Sequence, residues 1–138
     1  MQRMPQKDPD LRKSPQSKNM VRLDIKPLSL NCAYRGRRFA TPVLAKYKND
    51  LFRLLPKMDV PDGKLSVRYE FGVSSKASDG DNLVKCLQDA IAEGYGFNDN
   101  RIYEWYARKV DVPRGKEYVA FEIGSYPHIQ LTNTDRLL

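Results

Sequence analysis

Histidine and cysteine are nearly missing from this 138-residue chain, which has one histidine, His128, and two cysteines, Cys32 and Cys86. A lone histidine near the C-terminus gives little basis for a Ser-His-Asp hydrolase or for nucleases that use several histidines, and His128 reads as a surface residue. Neither cysteine belongs to a C-x-x-C pair or has a histidine close by, so neither a zinc site nor a disulfide framework is expected. Both should be reduced, with Cys86 packed in a helix. Long apolar runs are missing as well. The first residues, MQRMPQKDPDLRKSPQSKN, have no signal-peptide core, and no segment is long and apolar enough to span a bilayer, which predicts a cytoplasmic protein without membrane contact. Gly80, Gly94 and Gly96 do not form a nucleotide-binding glycine loop.

What the chain has in excess is positive charge, and it is placed unevenly. The formal net charge is +7; residues 1–60 hold 14 Lys/Arg against 5 Asp/Glu, a balance of +9, whereas residues 61–138 hold 10 against 12, a balance of −2. A basic half of this kind attracts polyanions through their phosphates and binds them less tightly as salt rises.

Hydrophobic periodicity predicts one α+β domain. Residues 1–19, rich in Pro, Gln, Ser and Lys, read as a flexible basic arm, residues 20–125 as the folded domain, and residues 126–138 as a polar tail. From Met20 to Pro27, Val21, Leu23 and Ile25 alternate with polar residues, the pattern of a strand. A polar, basic loop follows, from Leu28 to Ala40. Thr41 can cap and Pro42 can open a helix whose stripe is Val43, Leu44, Tyr47, Leu51, Leu54 and Leu55. Leu65, Val67, Tyr69, Phe71 and Val73 alternate as a second strand. A second helix starting near Asp81 turns Leu83, Val84, Leu87, Ala90 and Ile91 to the core, and Gly94 and Gly96 close it. Residues 101–110 and 116–124 read as two strands of a hairpin, the first apolar on both sides and so suited to a central or interface position, with Trp105 in the core or stacking on a base. The order is β-α-β-α-β-β, a mixed sheet with two main helices.

The chemistry concentrates between residues 79 and 99. With the helix starting near Asp81, the residues Asp81, Lys85 and Asp89 are spaced i, i+4, i+8 and share one face, away from Leu83 and Leu87. Asp79 and Asp81 lie where the helix dipole favours negative charge. On their own these residues also suit a cap and a ladder of surface ion pairs, each worth only about 0.3–0.5 kcal/mol. Asp99 adds a carboxylate from the following strand, provided that strand pairs with the one ending near Val73. Hard oxygen ligands without His or Cys suit Mg2+. A calcium loop starting at Asp79 fails, because Leu83 and Ala90 stand where its acidic residues belong.

The pattern Asp79-x-Asp81-Asn82-x-x-Lys85-x-x-x-Asp89-Ala90, a gap, then Asp99 before a hydrophobic strand resembles the RusA family of Holliday-junction resolvases. Upstream, Leu30-Asn31-Cys32-Ala33-Tyr34-Arg35 and Lys46-Tyr47 fit the same likeness, which spans about residues 20–124. The chain departs from the family in placing Asn98, where two successive aspartates are common, before Asp99. The resemblance implies metal-binding Asp79, Asp81 and Asp99, a catalytic Lys85, and support from Asn82 and Asp89. It also implies a Mg2+-dependent homodimer, bacterial or phage-encoded, that cuts four-way DNA junctions symmetrically in recombination and repair. Asn31, Tyr34, Arg35, Arg37, Arg38 and Lys46 are the candidate DNA surface, since Arg and Lys bind phosphate. Two other classes stay open: a branched-DNA-binding protein without catalysis, and a magnesium enzyme acting on a small phosphate ester.

Overall fold

A computed structural model describes residues 20–29, 34–35, 39–75 and 80–127, and of residues 34, 35, 39 and 40 only the backbone. The proposed arm, residues 1–19, and the tail from His128 onward lie outside these, as does Cys32. The elements are β1 (Val21–Leu23), β2 (Tyr34–Arg35), β3 (Phe39–Ala40), α1 (Pro42–Leu54), β4 (Leu65–Val73), α2 (Gly80–Tyr95), a 3-10 turn (Asp99–Arg101), β5 (Ile102–Asp111) and β6 (Tyr118–Ser125). The fold is α+β, a four-stranded mixed sheet in the order β1-β6-β4-β5 with two helices. The expected succession of elements holds, but β2 and β3 form a small antiparallel pair inside what the sequence presents as a loop. Among the described residues no helix is long and apolar enough to cross a membrane.

Both helices start and pack as their residues dictate. The Thr41 side chain accepts the Leu44 N–H at 3.4 Å, with Pro42 in the first turn of α1. Leu44, Tyr47 and Leu51 are buried, whereas Val43 and Leu54, expected in the same stripe, are exposed because they sit on its flanks. α2 buries Leu83, Cys86, Leu87, Ala90, Ile91 and Ala92. Gly94 lies in its last turn, where a Cβ would stand 2.6 Å from Leu55 Cδ1, so the missing side chain lets the end of α1 close against α2. The turn to positive φ comes at Gly96, at +74°. The two helices and the alternate residues Leu65, Val67, Tyr69, Phe71 and Val73 of β4 form one apolar cluster with Val119 and Phe121 of β6.

The hairpin expected between β5 and β6 does not form. β4 lies between them, parallel to β5 and antiparallel to β6, and the connecting residues pass its end, where the Val112 N–H donates to the Val73 carbonyl at 2.8 Å. A short linker with Pro113 and Gly115 permits a hairpin but does not require one. β4, with the more deeply buried residues, takes the central place, and α2 is the crossover that a parallel β4–β5 pair needs.

β4 is buried on both faces, unlike the half-buried strand its alternation implies: Ser66 and Glu70 are 1% and 2% exposed. Glu70 accepts from Arg108 Nε at 2.7 Å and from the Tyr118 hydroxyl, whose ring covers Gly72. Arg22 stacks over the outside of that ring, 3.7 Å from its centroid.

Burial, reinforced by the neighbouring Glu70 carboxylate, raises the Tyr118 ionisation to about 12, and burial pushes Tyr47 and Tyr69 still higher. Because these pKa values are raised in the fold, the stabilisation is complete below the unfolded value of 10.0 and is lost as pH climbs through the folded values. Titration followed at 295 nm should therefore leave these three of the eight tyrosines neutral at pH 11 and release them on alkaline unfolding. Normal ionisation of all eight near pH 10 would contradict the packing.

Among the described residues β5 lies at an edge of the sheet, not at its centre. Tyr103, Trp105 and Tyr106 are 54%, 55% and 41% exposed, so Trp105 is not a core residue.

Candidate functional site

The candidate site is built on α2 and on the turn that delivers the chain into β5. Burial of Leu83, Leu87 and Ala90 turns Asp81, Lys85 and Asp89 toward solvent along the opposite side of the helix. Asp81 is exposed in the first turn and Asn82 is half-buried beside it. One turn on, Lys85 Nζ lies 3.2 Å from Asp89 Oδ1.

Asp99 reaches this face through the sheet. Parallel pairing brings the start of β5 beside the start of β4, with Ile102 opposite Leu65, so the chain leaving α2 must turn back immediately before β5. Asn98 makes that turn: its side chain accepts the Asn100 N–H at 2.9 Å and its carbonyl accepts the Arg101 N–H at 3.0 Å. The Arg101 guanidinium then donates to the carbonyls of Gly63, at 2.8 Å, and Pro61, fastening the turn to the loop before β4. Held this way, Asp99 Oδ2 stands 4.0 Å from Lys85 Nζ. The structure thus joins Lys85, Asp89 and Asp99, and it does so one turn into α2 rather than at its first residue.

A buried tyrosine lies close to both carboxylates. The Tyr69 hydroxyl donates to Gln88 Oε1 at 2.7 Å, and its ionisation is pushed far up, first by burial and then by the charges of Asp99 and Asp89. Tyr69 is therefore a neutral donor beneath the site at any ordinary pH. Sequence reading assigned Tyr69 to the core alone and passed over Gln88 and Arg101. The only available signal was that Gln88 adjoins Asp89 and Arg101 closely follows Asp99.

The remaining expected residues divide by position. Asp79, Asn31, Arg37 and Arg38 lie outside the described residues, and of Tyr34 and Arg35 only the strand β2 is described. Lys46 is exposed on α1 with its ammonium 2.7 Å from Asp50. Among the described residues no group of three or more His, Cys, Asp or Glu side chains is placed to hold a metal ion.

Compared with models of known protein families and with curated proteins, the sequence matches none.

Proposed function

We propose that the chain is a Mg2+-dependent, structure-specific endodeoxyribonuclease that resolves four-way DNA junctions as a homodimer. The observation carrying this reading is the return of Asp99, across the β4-α2-β5 crossover, to a lysine that already holds Asp89 on the helix. The donor chemistry fits Mg2+: the candidate ligands Asp79, Asp81 and Asp99 offer only hard oxygen atoms. Bound there, the ion supplies Lewis-acid polarisation of the scissile phosphodiester.

The other roles belong to the chain's own groups. Lys85, held between two carboxylates, presents its ammonium to the negative charge that grows on the phosphate as the bond breaks. Asp89 and Asp99 restrain its ammonium, and the Asn98 turn restrains Asp99. The basic first half supplies phosphate contacts that carry no sequence preference, as a junction enzyme requires. A two-fold dimer presents two equivalent sites to a branch that must be cut twice.

Lys85→Gln is expected to slow cutting by about 10²–10³-fold, the range for losing one electrostatic contact to a transition state. Its unfolding midpoint should hardly move, because exposed ion pairs contribute little. A single-turnover rate within threefold of wild type would remove Lys85 from the catalytic set.

The function itself is tested by mapping nicks on an end-labelled four-way junction, with Mg2+ or with EDTA. Paired nicks symmetric about the branch and dependent on Mg2+ support the proposal. Tight binding to the junction without product in either condition supports a non-catalytic binder, in which Lys85, Asp89 and Asp99 are only a surface ion-pair ladder.

A further inference from the structure

We propose that Trp105 is a nucleobase-stacking residue, the floor of a shelf beside α2 on which an unpaired base at a DNA branch lies next to the candidate site. The inference takes its substrate from the nuclease reading and adds to it the place where the branch is held.

Trp105 is the chain's only tryptophan and is 55% exposed. The other exposed aromatic residues of β5 have partners. The Tyr103 ring lies 5.7 Å from that of Tyr126, with the Lys64 ammonium 4.6 Å from its centroid, and the Tyr106 hydroxyl donates to Glu104 at 3.2 Å. Among the described residues the Trp105 ring meets neither another ring nor a cation, and its indole N–H has no acceptor. An indole is a large apolar plane with one polar edge, and leaving it in water forgoes more burial than any other side chain would.

Sheet register fixes the face on which the indole stands. Residues paired across a ladder project to the same side, and Trp105 is opposite Val67, Ala107 opposite Tyr69 and Lys109 opposite Phe71. Val67, Tyr69 and Phe71 belong to the core under the helices, so Trp105, Ala107 and Lys109 are on the helix side of the sheet. All three are nevertheless exposed. α2 is tied to β4 by the Tyr69–Gln88 bond and leaves this side of β5 uncovered, which makes a shelf with β5 as floor and α2 as wall. The candidate site adjoins the shelf at Tyr69. That residue is one strand across and two residues along from Trp105, an offset of about 8 Å between Cα atoms, or two to three base steps of about 3.4 Å.

The chemistry of the shelf suits a nucleobase. Lys109 stands on the same face four residues past Trp105, and Lys64 lies beside Tyr103, so cations flank the ring where the phosphates on either side of a stacked base would run; Asp111 lies beyond Lys109, at the far end of the strand. Stacking accepts any base, as a junction enzyme requires, but needs a base with a free face. A branch point can offer one, whereas in linear duplex every internal base is stacked on both sides.

A single indole makes the test direct. With EDTA in place of Mg2+, a four-way junction should quench the tryptophan emission by at least half, and linear duplex of the same sequence should change it by less than a tenth. Trp105→Ala should weaken junction binding about tenfold and duplex binding less than twofold, and Trp105→Phe should restore most of the loss. Unchanged emission on binding the junction, equal weakening of junction and duplex by Trp105→Ala, or no binding of DNA by the wild type would each overturn the proposal. The two readings fail separately. Quenching by the junction without any Mg2+-dependent product would remove the nuclease and keep the stacking site, and Mg2+-dependent cutting with unchanged emission would do the reverse.

Discussion

Asp99→Asn is expected to lower single-turnover cutting of a four-way junction by about 10³-fold or more. The change keeps the shape of the side chain and its place in the turn, because that turn is made by the Asn98 side chain and by backbone bonds rather than by the Asp99 carboxylate. What it removes is one hard anionic ligand and one of the two carboxylates beside Lys85. Losing a contribution of several kcal/mol to charge stabilisation corresponds to at least three decades in rate, at about 1.4 kcal/mol per decade. Stability should scarcely respond, since the Asp99–Lys85 pair is long and partly exposed. Affinity for the junction should stay the same or rise, because one negative charge facing the DNA phosphates is gone. Equal cutting by the variant and the wild type would remove Asp99 from the site, and a large loss of stability would show that its role is structural.

Gly72→Ala is expected to destabilise the fold by about 2–4 kcal/mol, a large effect for one methyl group. An added Cβ would lie 2.3 Å from both Cδ1 and Cε1 of Tyr118, far inside contact distance. The ring must move, and two interactions move with it. Its hydroxyl leaves the buried Glu70, which keeps its bond from Arg108, and its face leaves the Arg22 guanidinium. Overpacking costs about 1–3 kcal/mol, and a buried carboxylate deprived of a donor adds a comparable amount. The midpoint of urea unfolding measures the sum. Tyr118→Leu in the Gly72→Ala background should recover the overpacking part but not the loss at Glu70. A Gly72→Ala midpoint equal to that of the wild type would show that the ring does not cover the glycine.

The sequence was informative wherever one element's own pattern settles its structure. The alternation from Leu65 to Val73 marks β4, and the stripe Leu83, Leu87, Ala90 and Ile91 marks α2 and thereby turns Asp81, Lys85 and Asp89 to one side. It was less informative about neighbours. Periodicity reports how deeply a strand is buried but not what lies beside it, so the short link between β5 and β6 reads as a hairpin although β4 separates them. The aromatic residues of β5 mark a strand, and their exposure follows only from its place at the edge. Within the site, the Lys85–Asp89 pair follows from helical spacing. The approach of Asp99 depends on the parallel pairing of β5 with β4, and the Tyr69–Gln88 bond depends on how α2 lies across the sheet.

The most direct test of the account compares cutting rates on a four-way junction and on linear duplex of the same sequence, with excess protein and Mg2+, for the wild type and for Asp81→Asn. Efficient cutting of the junction by the wild type, little or none of the duplex, and none by the variant, although it still binds, is the expected result. Equal rates on junction and duplex, or undiminished cutting by Asp81→Asn, would contradict it.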